Sequence, residues 1–289
     1  MQSLKYAIRF ISASFSLAAK NPRLQKSWFY LGVGSLVVLI LWFLPLSLVV
    51  AFLGLQPAGM ILVGLICTLA LITLLVFGEV FALYTCRAFD TVSGDREEQE
   101  IKWPFLPSHW IDVALFALSL PGKLLYQAAQ QRFSSNKSDP SPWLDATYLI
   151  LPVICLEDLS LSQAVERLNQ IVGEHLLRFR ADLVRVRLVA GVIQWILILG
   201  GLALGFITGI NVADPSTAGI WQRVLGTGAG MVLAWLLTMV GLVFGTFTRT
   251  MYTTALYQWV KNVEAARQTQ AREKGSPPEI LRQVLGKYS

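Results

Sequence analysis

Residues 28–53, WFYLGVGSLVVLILWFLPLSLVVAFL, contain no charged side chain. As a helix rising about 1.5 Å per residue the run reaches about 39 Å, more than the roughly 30 Å of a hydrocarbon core. In lipid such a segment needs only its backbone hydrogen bonds closed, and a helix closes them internally. Similar runs at 60–86, 188–210 and about 220–248 predict three further spans. The expected fold is all-α: a polytopic transmembrane helix bundle of four long spans, two short broken or re-entrant helices, and amphipathic surface helices. Only 15% of residues are charged, where a soluble domain carries roughly 25%.

The chain divides into three expected regions: an amphipathic segment at 1–27, one transmembrane bundle over 28–260, and a polar tail at 261–289. In the first, Leu4, Ile8, Ile11, Phe15 and Ala18 recur at helical spacing, which predicts a helix lying on the membrane surface and ending at Asn21-Pro22. Its long apolar sequel lacks a small-residue cleavage site and does not read as a cleavable signal. The short apolar stretches near 109–130 and 143–156 are broken by Pro121 and Pro152. They read as a kinked, tilted pair or as a re-entrant hairpin. A further amphipathic helix is expected at about 159–180, opened by a Ser160/Gln163 capping box.

Charge sets the expected topology. Lys5, Arg9, Lys20, Arg23 and Lys26 precede the first span, and Arg249, Lys261, Arg267, Arg272, Lys274, Arg282 and Lys287 end the chain. The links at 54–59 and 211–222 have no Lys or Arg. Both termini of the multi-pass chain are therefore expected in the cytoplasm. The net charge of +6 flanks apolar runs, so it points to lipid headgroups and not to nucleic acid. Cys67, Cys86 and Cys155 show no metal spacing and read as small buried hydrophobes; no cofactor is expected.

Four acids are candidate polar or functional positions. Glu79 interrupts LVFGEVFALY, where an intramembrane carboxylate marks either a solute path or an interhelical tie. Asp112 and Asp145 open the short apolar stretches, as dipole-complementing residues or as paired carboxylates. Glu157, followed by Asp158, reads as a cap, a salt-bridge partner for nearby arginines, or a cation ligand. His109 and His175 form no metal motif, and no catalytic residue is identified. Gly201, Gly205 and Gly209, then Gly226 and Gly230, then Gly241 and Gly245, recur every four residues. That spacing predicts close packing of the last two spans on each other or on a second copy.

The stretch Trp143, Thr147-Tyr148, Pro152, Glu157, Ala164, Arg167 and Gly173-Glu174, together with Ala255-Leu256-Tyr257 and its counterpart at 81–89, resembles a widespread family of bacterial and archaeal polytopic membrane proteins of unknown function. A looser form of the pattern resembles the membrane domains of some bacterial glycerophosphodiesterases. The chain departs from the family at Leu168-Asn169 and at Ile171-Val172-Gly173. The resemblance implies a helical membrane fold and a bacterial membrane location; it implies no activity.

The leading expectation is a non-enzymatic accessory, scaffold or lipid-interacting subunit, with membrane lipids, other membrane subunits or a second copy as partners. The alternative is a transporter or channel for a small solute or lipid, with Glu79 and the breaks at Pro121 and Pro152 lining the path. Against the alternative, no clear repeat joins the two halves.

Overall fold

Asn21 is the hinge on which the N-terminal helices turn. In the computed structural model it accepts the first backbone hydrogen bonds of the helix that follows, from Leu24 and Gln25, while its side chain donates to Leu17 O at 2.9 Å in the helix before. Pro22, whose missing N–H is no loss at a first helical position, starts the new helix. The structure describes residues 2–53, 56–93, 149–172, 180–212, 219–268 and 277–285.

The described residues form helices and no strand. These are α1 (Gln2–Lys20), α2 (Pro22–Leu53), α3 (Pro57–Ser93), α4 (Ile150–Glu157), α5 (Leu161–Val172), α6 (Arg180–Val212), α7 (Ile220–Gln268) and α8 (Glu279–Leu285). Four of them, α2, α3, α6 and α7, contain stretches long and apolar enough to cross a membrane. The architecture is that of an integral membrane helix bundle. The helices outrun the expected spans: α2 begins six residues before Trp28, α3 continues past Arg87 to Ser93, and α7 is one helix of 49 residues. Helix α5 is described only over Leu161–Val172 of the expected 159–180.

The chain separates into two compact units. One unit comprises Met1–Ser27, Glu79–Ala190 and Thr246–Ser289; the other comprises Trp28–Gly78 and Gly191–Gly245. Their surfaces obey different rules. Apart from Ile8 and Leu188, the exposed large apolar side chains of the described residues all belong to the second unit, among them Phe29, Ile40, Leu44, Phe52, Ile196 and Phe206. The largest fully buried side chains, Ile198 aside, belong to the first, including Tyr252, Tyr257, Phe10, Phe89 and Leu83. Among the described residues, the first unit keeps its large apolar groups inside, and the second presents them outside on helices apolar enough to cross a membrane.

Within the second unit the packing is antiparallel. Trp235 Nε1 donates to Ser35 Oγ at 3.2 Å, Met239 sits over Gly32 and Phe43 over Gly228. Numbers fall along α7 as they rise along α2. Helices α6 and α7 pair in the same sense, from Gln194 against Gly245 to Gly209 against Gly226.

Within the first unit, α3 and α7 run parallel: Glu79 meets Arg249, Cys86 meets Thr254, and Asp90 and Ser93 meet Gln258. Both helices carry Val-Phe-Gly (76–78, 243–245) and then a buried Ala-Leu-Tyr (82–84, 255–257). The Ala-Leu-Tyr part of this echo is the counterpart at 81–89 noted from the sequence; the Val-Phe-Gly part was not. Helix α1 packs on α7 through Phe10 against Tyr252, ring centroids 4.9 Å apart, and Phe15 against Phe247 at 5.3 Å; α8 packs on α1. The buried stripe of α1 is Ala7, Phe10, Ser14 and Ala18, and Ile8 is 54% exposed. The expected membrane-facing stripe is thus rotated, because small Ala and Ser residues let α1 approach its neighbours closely. Its apolar side is used for protein packing.

Candidate functional site

The charged residues of the first unit gather where the turn between α4 and α5 meets α3 and α7. Helix α4 ends because Asp158 takes the left-handed conformation, φ 58°, which Asp tolerates better than most residues. Helix α5 then starts in a capping box: the Ser160 N–H donates to Gln163 Oε1 at 3.0 Å. This turn presents Glu157 and Asp158 side by side. Asp158 accepts from Arg87 Nη2 of α3 at 3.0 Å; with side chains 35% and 58% exposed, the pair contributes little to stability.

Glu157 is more deeply held. Arg167 of α5 donates through Nε to Glu157 at 3.2 Å and through Nη2 to Glu264 of α7 at 2.7 Å. The Tyr257 hydroxyl donates to the other oxygen of Glu157. Burial works against the charge on Arg167. The hydrogen bond from Glu264 and the pull of both carboxylates outweigh it, so the guanidinium is held above its ordinary range. One cation bridging two acids, with a phenol donating to one of them, fastens α4, α5 and α7 together.

Glu79 is the first residue of the first unit on α3 and pairs with Arg249 on α7. Their side chains are 13% and 27% exposed. The acid is thus paired and mostly buried, which offsets the cost of a lone carboxylate in apolar surroundings. Above this level Cys86 and Cys155 are buried. Thr254 Oγ1 donates to Cys86 at 3.3 Å, and Cys155 donates to Leu83 O at 3.4 Å. Among the described residues no group of His, Cys, Asp and Glu is arranged to hold a metal ion.

The candidate glycines belong to the second unit. A Cβ at Gly205 would lie 2.6 Å from Ala234 Cβ and would meet Gly230 O; one at Gly201 would lie 2.7 Å from Leu237 Cβ. Gly230 faces Gly209 at 3.1 Å, Gly226 lines Gly209, Gly241 faces Leu197 at 3.0 Å, and Gly245 lies under Gln194. All seven stand at the α6–α7 seam of this chain. Asp112, Asp145 and Pro121 lie outside the described residues. Pro152 is buried in α4. Glu264 was not singled out from sequence; Arg249 was read only as a topology charge, and Tyr257 only as part of the Ala-Leu-Tyr motif. Arg249 carried a signal, a lone cation in FGTFTRTMYTTALY, but its match to Glu79 spans 170 positions. Comparison with known protein families, curated proteins and solved structures finds no match.

Proposed function

We propose that this chain is a non-enzymatic accessory or scaffold protein of a bacterial inner membrane, working through lipid contact and association with other membrane subunits. The observation that carries the reading is the mutual pairing of its charged clusters. Glu79 is engaged by Arg249, Asp158 by Arg87, and Glu157 and Glu264 by Arg167. A transport path or a general acid needs a charge that changes partners; these charges join helices. The second unit lies in hydrocarbon and the first in water, both termini being cytoplasmic. The antiparallel order within the second unit and the lack of Lys and Arg in the two links support that topology.

Two measurements test this. In proteoliposomes carrying proton and potassium gradients, the chain should dissipate neither faster than empty vesicles do. A gradient collapse that Glu79→Gln abolishes would overturn the reading in favour of transport. In a double-mutant cycle, Glu79→Leu should destabilise by about 2 kcal/mol, because Arg249 is left half-buried and unpaired. Adding Arg249→Met should restore most of that loss. Equal losses in the single and double variants would show that the pair is not a tie.

A further inference from the structure

Helix α1 carries its charge on the face that packing leaves open. With Ala7, Phe10, Ser14 and Ala18 buried, the turn of about 100° per residue places Lys5, Arg9, Ser12, Ser16 and Lys20 together on the opposite face, and all five are exposed. Arg87, Arg167 and Arg249 are paired, whereas Lys5, Arg9 and Lys20 make no ion pair with any described residue. No acid precedes Glu79 in the chain, so nothing in the first three helices up to that point neutralises them.

Beside these cations, at the edge of their face, stands Ile8, 54% exposed. Among the described residues of the first unit it is exceptional: the other large apolar side chains are not exposed, Leu188 at the edge of α6's apolar run apart. Asn21 alone separates Lys20 from α2, whose surface becomes apolar at Phe29, 68% exposed. A basic helix face flanked by an exposed apolar residue, joined by one residue to a span, matches the chemistry of a lipid interface.

We propose that this face of α1 seats on the anionic headgroups of the membrane that α2 enters, Lys5, Arg9 and Lys20 against lipid phosphates and Ile8 among the outer acyl carbons. The proposal rests on the lipid-contact reading above and names its lipid class. Ile8 and the closeness of α2 favour a membrane over an acidic protein, which would require neither. The attraction is electrostatic and decays over about 10 Å at 0.1 M salt, so it is sensitive to both lipid charge and ionic strength.

The test uses the full chain with Ser12→Cys in a Cys67→Ala background, Cys86 and Cys155 being buried, labelled with an environment-sensitive fluorophore. It is reconstituted in phosphatidylcholine vesicles with and without phosphatidylglycerol. Emission should shift to the blue only in the anionic vesicles and return in high salt. Lys5→Gln/Arg9→Gln/Lys20→Gln should lose the shift, and Lys5→Arg/Arg9→Lys/Lys20→Arg should keep it, which separates lost charge from lost folding. Equal emission in the two vesicles, or a shift that survives the Gln substitutions, overturns the proposal. A shift produced by polyglutamate and not by phosphatidylglycerol overturns it in favour of an acidic protein partner. Failure here leaves the gradient measurement standing, since that reads Glu79 and not α1.

Discussion

Arg167→Met should be among the most destabilising single changes in the first unit, costing about 3 kcal/mol. It leaves Glu157 and Glu264 half-buried, 19% and 23% exposed, with their shared cation gone, and an uncompensated charge costs far more than an intact pair contributes. Neutralising the acids as well, in Arg167→Met/Glu157→Gln/Glu264→Gln, should recover most of the loss. Tyr257→Phe removes one hydrogen bond to Glu157 and should cost about 1 kcal/mol. Denaturant titration of the purified chain in mild detergent checks the series. A triple variant as unstable as Arg167→Met would mean that packing by the Arg stem, and not charge balance, holds the turn.

Gly205→Leu should have a comparable effect in the second unit, about 2–3 kcal/mol, since overpacking a closed seam forces the helices apart. A Cβ there already meets Ala234 and the Gly230 carbonyl, and no flexible side-chain end stands ready to yield. Gly200→Leu, on the same helix, is the control: nothing lies within 4 Å of its Cβ position, and it should be nearly neutral. The difference in midpoint between the two variants is the readout. Equal losses would mean that helix propensity, and not the α6–α7 seam, sets the cost.

What the sequence could reveal followed its length scales. The four apolar helices were legible because each is a continuous local run. The capping box at Ser160 and the break at Asn21 were legible because both are local hydrogen-bond chemistry. The rotation of α1 was not. Ile8, Ile11, Phe15 and Ala18 form a plausible stripe; Phe15 and Ala18 do pack inward, but Tyr252, more than 200 positions away, meets Phe10, and Ala7, Phe10 and Ser14 are buried while Ile8 is exposed. Glu79 and Glu157 stood out as acids near apolar segments. Their partners did not, because Arg249 and Glu264 lie on a helix whose polar end reads in isolation as an exposed tail. The division into a unit with apolar groups inside and one with apolar groups outside was also hidden: α3 and α7 contribute to both without a break in helical pattern.

The most direct check of this account is a spin-label accessibility scan along α7. Labels at the exposed positions Val232, Leu236 and Val240 should collide readily with oxygen and poorly with a water-soluble nickel complex. Labels at Asn262 and Ala265, exposed on the same helix, should show the reverse. A profile that stays lipid-like through Asn262, or one that turns aqueous at Leu236, would contradict the assignment of the two units to water and hydrocarbon, and with it the reading of Glu79 and Arg249 as a tie at their chain boundary.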